Sequence, residues 1–243
     1  MFGRFSGALL IVAVAISATA LWCGITYALD PEFNTLVEKK GAPALELLEK
    51  PTLSREVKLD ALPCSTEDFE FLLDRPRTSV ALAGQIHKSL DKYELTLTKS
   101  GIYHIDDKQG HLVGDLELVL NQPGRRVYYI TGYWKLMPGI RINGRLALDM
   151  ECKEPPEAKG KALDVKTHGY IAVDSSVAGA AFKTVAFLFP GRVDARINRF
   201  GTAVRKVTEA IRDNPEAALK RIERSPNVPD DEAAEFRKRF LKK

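Results

Sequence analysis

The segment GIRINGRLALDME (139–151) alternates without a fault. Ile140, Ile142, Gly144, Leu146, Leu148 and Met150 fall on one side, and Arg141, Asn143, Arg145, Ala147 and Asp149 on the other. A period of two residues belongs to a strand with one face against a core and one face against water. HLVGDLELVLN (111–121) behaves the same way, with Leu112, Gly114, Leu116, Leu118 and Leu120 on one side. Four further segments read as strands: YELTLT (93–98), GIYHIDD (101–107), RRVYYITGYW (125–134) and KALDVKTHGYIAV (161–173). Strong turn signals part them, namely Lys99-Ser100-Gly101, Lys108-Gln109-Gly110, Gln122-Pro123-Gly124 and Met137-Pro138-Gly139. Connections this short join antiparallel neighbours, so the centre of the chain is expected to be a meander with one covered face.

The flanking segments supply the cover. TLSREVKLDAL (52–62) alternates Val57, Leu59 and Ala61 against Glu56, Lys58 and Asp60, a seventh strand. Ser65 and Thr66 precede two acids in CSTEDFEFLLD, a helix start whose inner face is Phe69, Leu72 and Leu73. Pro76 restarts a second helix through SVALAGQIHKSL. After the sheet, Val193, Ile197, Phe200, Val204, Val207 and Ile211 step by three and four along a long helix. Asn214-Pro215 ends it, and residues 215–243 are expected to be a basic helical tail.

The first thirty residues form a different kind of segment. Arg4 and Asp30 bracket 25 residues without a charge, which fits either a cleaved signal peptide or an N-terminal membrane anchor over residues 1–28. Both alternatives export the remainder, and a periplasmic location is expected. Residues 29–51 read as a helical spacer. An exported body permits disulfides, and Cys64 and Cys152 are its two cysteines. They are candidates for one bridge, with two separately buried thiols as the alternative.

The order strand, two helices, six strands, long helix resembles the START-like or helix-grip superfamily, which includes lipid-transfer START domains and polyketide cyclase-like proteins. The resemblance covers residues 52–213, and STEDFEFLLDRP (65–76) is similar to the helix pair that follows the first strand in such proteins. It implies an α+β helix-grip fold, in which a curved antiparallel sheet of seven strands wraps around the long C-terminal helix. It also implies a ligand cavity between them for a lipid or another hydrophobic small molecule.

Candidate ligand-binding residues on this reading are Tyr129, Tyr133, Trp134, Arg126, Leu118 and Leu146 from the sheet, and Phe182 and Phe187 from DSSVAGAAFKTVAFLFPG (174–191). Pro190 and Gly191 are the candidate hinge of a gate formed by that stretch. From Arg192 to the end the chain carries 14 Lys and Arg against 9 Asp and Glu. That excess makes Arg192, Arg196 and Arg199 candidates for docking on an anionic membrane surface; a solvated helix face is the simpler alternative. No catalytic residue, metal site or cofactor is expected: GxSxG, HExxH, P-loop and GxGxxG patterns are lacking, and the four histidines have no ligand spacing. Nucleic acid is not an expected partner, because the basic residues are not joined to an aromatic reading face. Two other functions stay open. One is an enzyme acting on a hydrophobic substrate, which needs a titratable pair such as His104 or Asp106 beside Tyr129 inside the cavity. The other is a membrane-tethered assembly factor with a filled core.

Overall fold

A computed structural model describes residues 42–87, 93–99, 101–108, 111–137, 140–173 and 189–241. The described residues begin with α1 (Ala42–Glu49), β1 (Leu53–Leu62), α2 (Thr66–Asp74) and α3 (Pro76–Ile86). The meander follows as β2 (Tyr93–Leu97), β3 (Tyr103–Asp107), β4 (Leu112–Gln122), β5 (Arg125–Met137), β6 (Ile140–Lys153) and β7 (Leu163–Val173). Three helices close the chain: α4 (Phe189–Asp213), α5 (Pro215–Glu223) and α6 (Asp230–Phe240). The protein is α+β, an open seven-stranded antiparallel sheet in the order β1-β7-β6-β5-β4-β3-β2 with the C-terminal helices packed against it.

The expected local signals act where the sequence puts them. Ser65 is the N-cap of α2, its hydroxyl accepting from the Asp68 amide at 3.1 Å. Pro76 opens α3, where its missing N–H costs nothing. Asn214 caps α5, accepting from the Ala217 amide at 2.9 Å. In the sheet, Gly114, Gly132 and Gly144 lie side by side on β4, β5 and β6. A methyl at Gly132 would sit 2.4 Å from the Val113 carbonyl oxygen and 2.8 Å from the Gly114 Cα. The strands therefore close on one another there, an approach that only hydrogen side chains permit.

Helices cover the inner face of the sheet, and α1 covers the middle of the outer face. On the inner face Leu116, Tyr128, Ile130, Leu146 and Leu148 pack with Val80 of α3. On the outer face Val119, Val127 and Ala147 pack with Leu47 and Leu48 of α1. This second cover explains why β5 is apolar on both sides, against the expectation of one wet face.

Helix α4 crosses β1 closely. A methyl at Gly201 would meet the Leu59 side chain at 2.7 Å, and the Arg205 guanidinium donates to the Asp60 carbonyl at 2.7 Å. Residues 215–240 do not trail away as a tail. Ala218, Leu219 and Ile222 of α5 and Ala233 and Phe236 of α6 form one buried cluster with Leu72, Leu82, Val207 and Ile211. Arg239 adds hydrogen bonds to Asp68 at 2.8 Å and Glu67 at 2.9 Å at the start of α2. Burying a side chain such as Phe236 contributes about 2 kcal/mol or more, so these helices belong to the folded core. No helix among the described residues is long and apolar enough to cross a membrane; residues 1–28 lie outside them.

Candidate functional site: an apolar cavity between sheet and helices

The elements above line a half-open cavity of about 100 Å³. Its walls come from four directions: Phe69, Leu72 and Leu73 of α2; Val80 and Ala83 of α3; Tyr93, Leu116, Tyr128 and Met150 of the sheet; and Phe200, Ala203, Val204 and Val207 of α4. Helical spacing on α4 turns the last four to one side, and strand alternation turns Tyr128 inward beside Leu148 of β6.

The lining is nearly free of available polar groups. Beside the phenols of Tyr93 and Tyr128, two aliphatic hydroxyls border the space, and each of these is spent on a backbone carbonyl: Ser79 Oγ donates to Leu72 at 2.6 Å and Thr208 Oγ1 to Arg205 at 2.9 Å. Burial pushes the Tyr128 phenol well above its ordinary value, so it stays neutral. A cavity with such walls has too few hydrogen-bonding partners to hold water and favours apolar occupants. An engineered apolar cavity of about 150 Å³ takes up benzene. The 100 Å³ here accommodates a group somewhat smaller than that ring, such as the end of an acyl chain.

The expected sheet residues divide between the two faces. Leu146 is buried in the inner core and Leu118 packs against it, although neither borders the cavity. Tyr129 packs on the outer cluster under α1, away from the cavity. Tyr133 shares that outer face and carries two cations on its ring, Arg141 at 4.8 Å and Lys135 at 5.7 Å. Trp134 is half-buried near the end of β5, opposite Ile142 and Leu112, and outside the cavity lining.

Arg126 is 4% exposed and clamps α2 to the β4–β5 hairpin. Its guanidinium lies 3.4 Å from both Glu70 and Asp74 and also donates to the Gln122 carbonyl. Arg126 does not border the cavity. Phe182 and Phe187 lie outside the described residues, as does the gate stretch 174–188. Pro190 and Gly191 fall inside the first turn of α4, where proline is tolerated, and Arg192, Arg196 and Arg199 follow on the same helix.

Cys64 and Cys152 come together against the cluster of Leu62, Phe69, Met150, Leu163 and Val165. Both thiols are free, and burial pushes each up to about 12. They are protonated and unreactive at neutral pH.

His104 and Asp106 point to the outer side of β3, opposite the buried Ile105, and His104 Nδ1 lies 2.7 Å from Asp115. His168 is also on the outer face, 3.3 Å from Glu56 and stacked on Tyr170. No group of three or more potential metal ligands occurs among the described residues.

The cavity residues from α2 and α4 are legible as helical faces, and Tyr128 belongs to the aromatic run of β5 that could line a pocket, whereas Tyr93 carries no such signal. The signal for Tyr128 was available: its register against Leu148 ties it to the faultless inner face of β6. No protein-family model matches the chain, and no curated protein matches it significantly. Among solved structures, a hypothetical protein from Helicobacter pylori is 11% identical, with 64% of this chain and 84% of that one covered at a TM-score of 0.39. An uncharacterized protein from Bacillus thuringiensis is 14% identical, with 62% and 98% covered at a TM-score of 0.34.

Proposed function

We propose that this protein binds a hydrophobic small molecule, a lipid acyl chain or a group of similar girth, in the cavity between the sheet and α4. The single observation that carries the reading is an apolar cavity of about 100 Å³ whose Ser79 and Thr208 hydroxyls are already hydrogen-bonded to backbone carbonyls. An apolar occupant supplies dispersion contacts to the cavity walls as well as burying its own surface. The helix-grip resemblance joins this reading: two helices after β1, a long helix after β7 and the strand order β1-β7-β6-β5-β4-β3-β2 support a sheet that grips α4 around a ligand. The same reading has the chain exported through residues 1–28 and docking on an anionic membrane with Arg192, Arg196 and Arg199. An apolar lining of this kind supports binding or transfer of a hydrophobic molecule.

The test is to fill the space from α4. Ala203 is 3% exposed and borders the cavity, so Ala203→Leu places three more carbons inside it. Titration of a fluorescent polyene fatty acid into the full chain should show at least tenfold weaker binding to the variant, with an unchanged or higher urea midpoint. Equal affinity for both proteins would place the ligand elsewhere and defeat the reading.

A further inference from the structure

A second cleft of about 300 Å³ lies beside the apolar cavity, between α3, β2 and the turn that joins α5 to α6. The two spaces share Val80 and Tyr93 as walls, and both residues are buried, at 9% and 7% exposure. Unlike its neighbour, this cleft is bordered by polar groups: Arg77 and Gln85 from α3, and Arg224, Ser225 and Asn227 from the turn.

The two arginines differ in what they offer. Arg77 donates through Nε and Nη2 to Glu232 Oε1, at 3.0 and 2.6 Å, while Thr78 holds the other oxygen of that carboxylate at 2.6 Å. Glu232 is 8% exposed, so it fixes the guanidinium firmly and cancels much of its charge. Nη1 has no partner among the described residues. Arg224 is exposed at the C-cap of α5 and has no ion pair among the described residues. The cleft therefore combines one pre-oriented donor with one uncompensated positive charge, a pairing suited to an anion. A small apolar cavity and an anion-favouring cleft that share a wall match the two ends of one molecule.

Resting on the cavity reading above, we propose that the ligand is a single-chain amphiphile with an anionic head, a carboxylate or a phosphate. Val80 and Tyr93 pack in one core cluster and separate the two spaces, so the chain reaches the apolar cavity by displacing their side chains, and its head lies in the cleft against Arg224 and Arg77. The headgroup site is thus built by α3 and the turn that joins α5 to α6, with the edge strand β2 as its floor.

Isothermal titration of the full chain with dodecanoate, dodecyl phosphate, dodecanol and inorganic phosphate separates the contributions. Both anionic amphiphiles should bind at least tenfold tighter than dodecanol, and inorganic phosphate alone should bind far more weakly than dodecyl phosphate. Arg224→Glu should weaken the two anions by tenfold or more and leave dodecanol unchanged, while Arg224→Lys should keep most of the preference. If dodecanol binds as tightly as dodecanoate, or Arg224→Glu weakens all chains alike, the head assignment is wrong while the cavity reading survives. Inorganic phosphate binding as tightly as dodecyl phosphate would make the cleft a free-anion site and overturn the proposal. If no chain of either kind binds, the cavity reading falls and takes this proposal with it.

Discussion

Gly132 and Arg126 illustrate how single residues carry the architecture. Gly132 has no tolerance for a side chain, because a methyl would lie 2.4 Å from the Val113 carbonyl oxygen and 2.8 Å from the Gly114 Cα. Both obstructions are backbone, which cannot rotate away. Gly132→Ala is expected to cost about 1–3 kcal/mol, the range for forcing extra volume into a packed site, and its urea midpoint reads this directly. A midpoint within error of the parent would mean the strands part easily at that row. Arg126 shows the limit of reading a charge from sequence. A basic pair at a hairpin corner fits an anionic ligand, yet the two members point to opposite faces. Arg125 binds Asp149 on the outer side through two contacts, at 3.0 and 2.9 Å. Arg126 is buried against Glu70 and Asp74 on the inner side. Strand parity separates them, but which parity faces inward depends on packing partners far away in sequence.

At the scale of elements, order and type were largely legible, because caps, prolines and turn glycines act over a few residues. The seven strands and the helices α2, α3 and α4 follow the expected sequence order. Legibility stops where tertiary cover decides. Residues 215–243 read as a basic tail because Lys220, Arg221, Arg237, Lys238 and Arg239 dominate the composition, while Leu219, Ile222 and Phe236, spread thinly between them, bury the inner stripe. The face of β5 was equally ambiguous, since α1 covers Val127 as fully as the helices cover Tyr128. One inter-element clamp gives a pH signature. Glu154, just after β6, accepts from the Thr66 amide at 2.7 Å at the start of α2 and from the Gly160 amide at 2.8 Å. These two backbone N–H bonds hold its carboxyl below the usual glutamate range. A depressed folded-state value means that its stabilisation is fully present above the ordinary glutamate value and is lost as pH falls through the depressed one. Glu154→Gln should therefore be less stable than the parent at neutral pH and converge with it in acid, in a series of urea midpoints. A constant difference across pH would show that the carboxylate charge plays no part in the clamp.

For the whole molecule, the order of elements was enough to expect a covered antiparallel sheet, but not to expect where space is left within it. A cavity is a property of imperfect packing among α2, α3, α4 and the sheet, and no local pattern encodes it. The two cavities and the wall between them arise because Ala83 and Ala203 are small where helices meet, and because α5 and α6 close over α3. The claim that this space serves a ligand is tested most directly by native mass spectrometry of the full chain purified from cells, followed by organic extraction of the same sample. A bound amphiphile should appear as a discrete added mass at near one-to-one stoichiometry, be recovered in the extract, and be lost from Ala203→Leu. A bare chain mass with no stoichiometric lipid in the extract would contradict the account and leave the cavity as a packing defect.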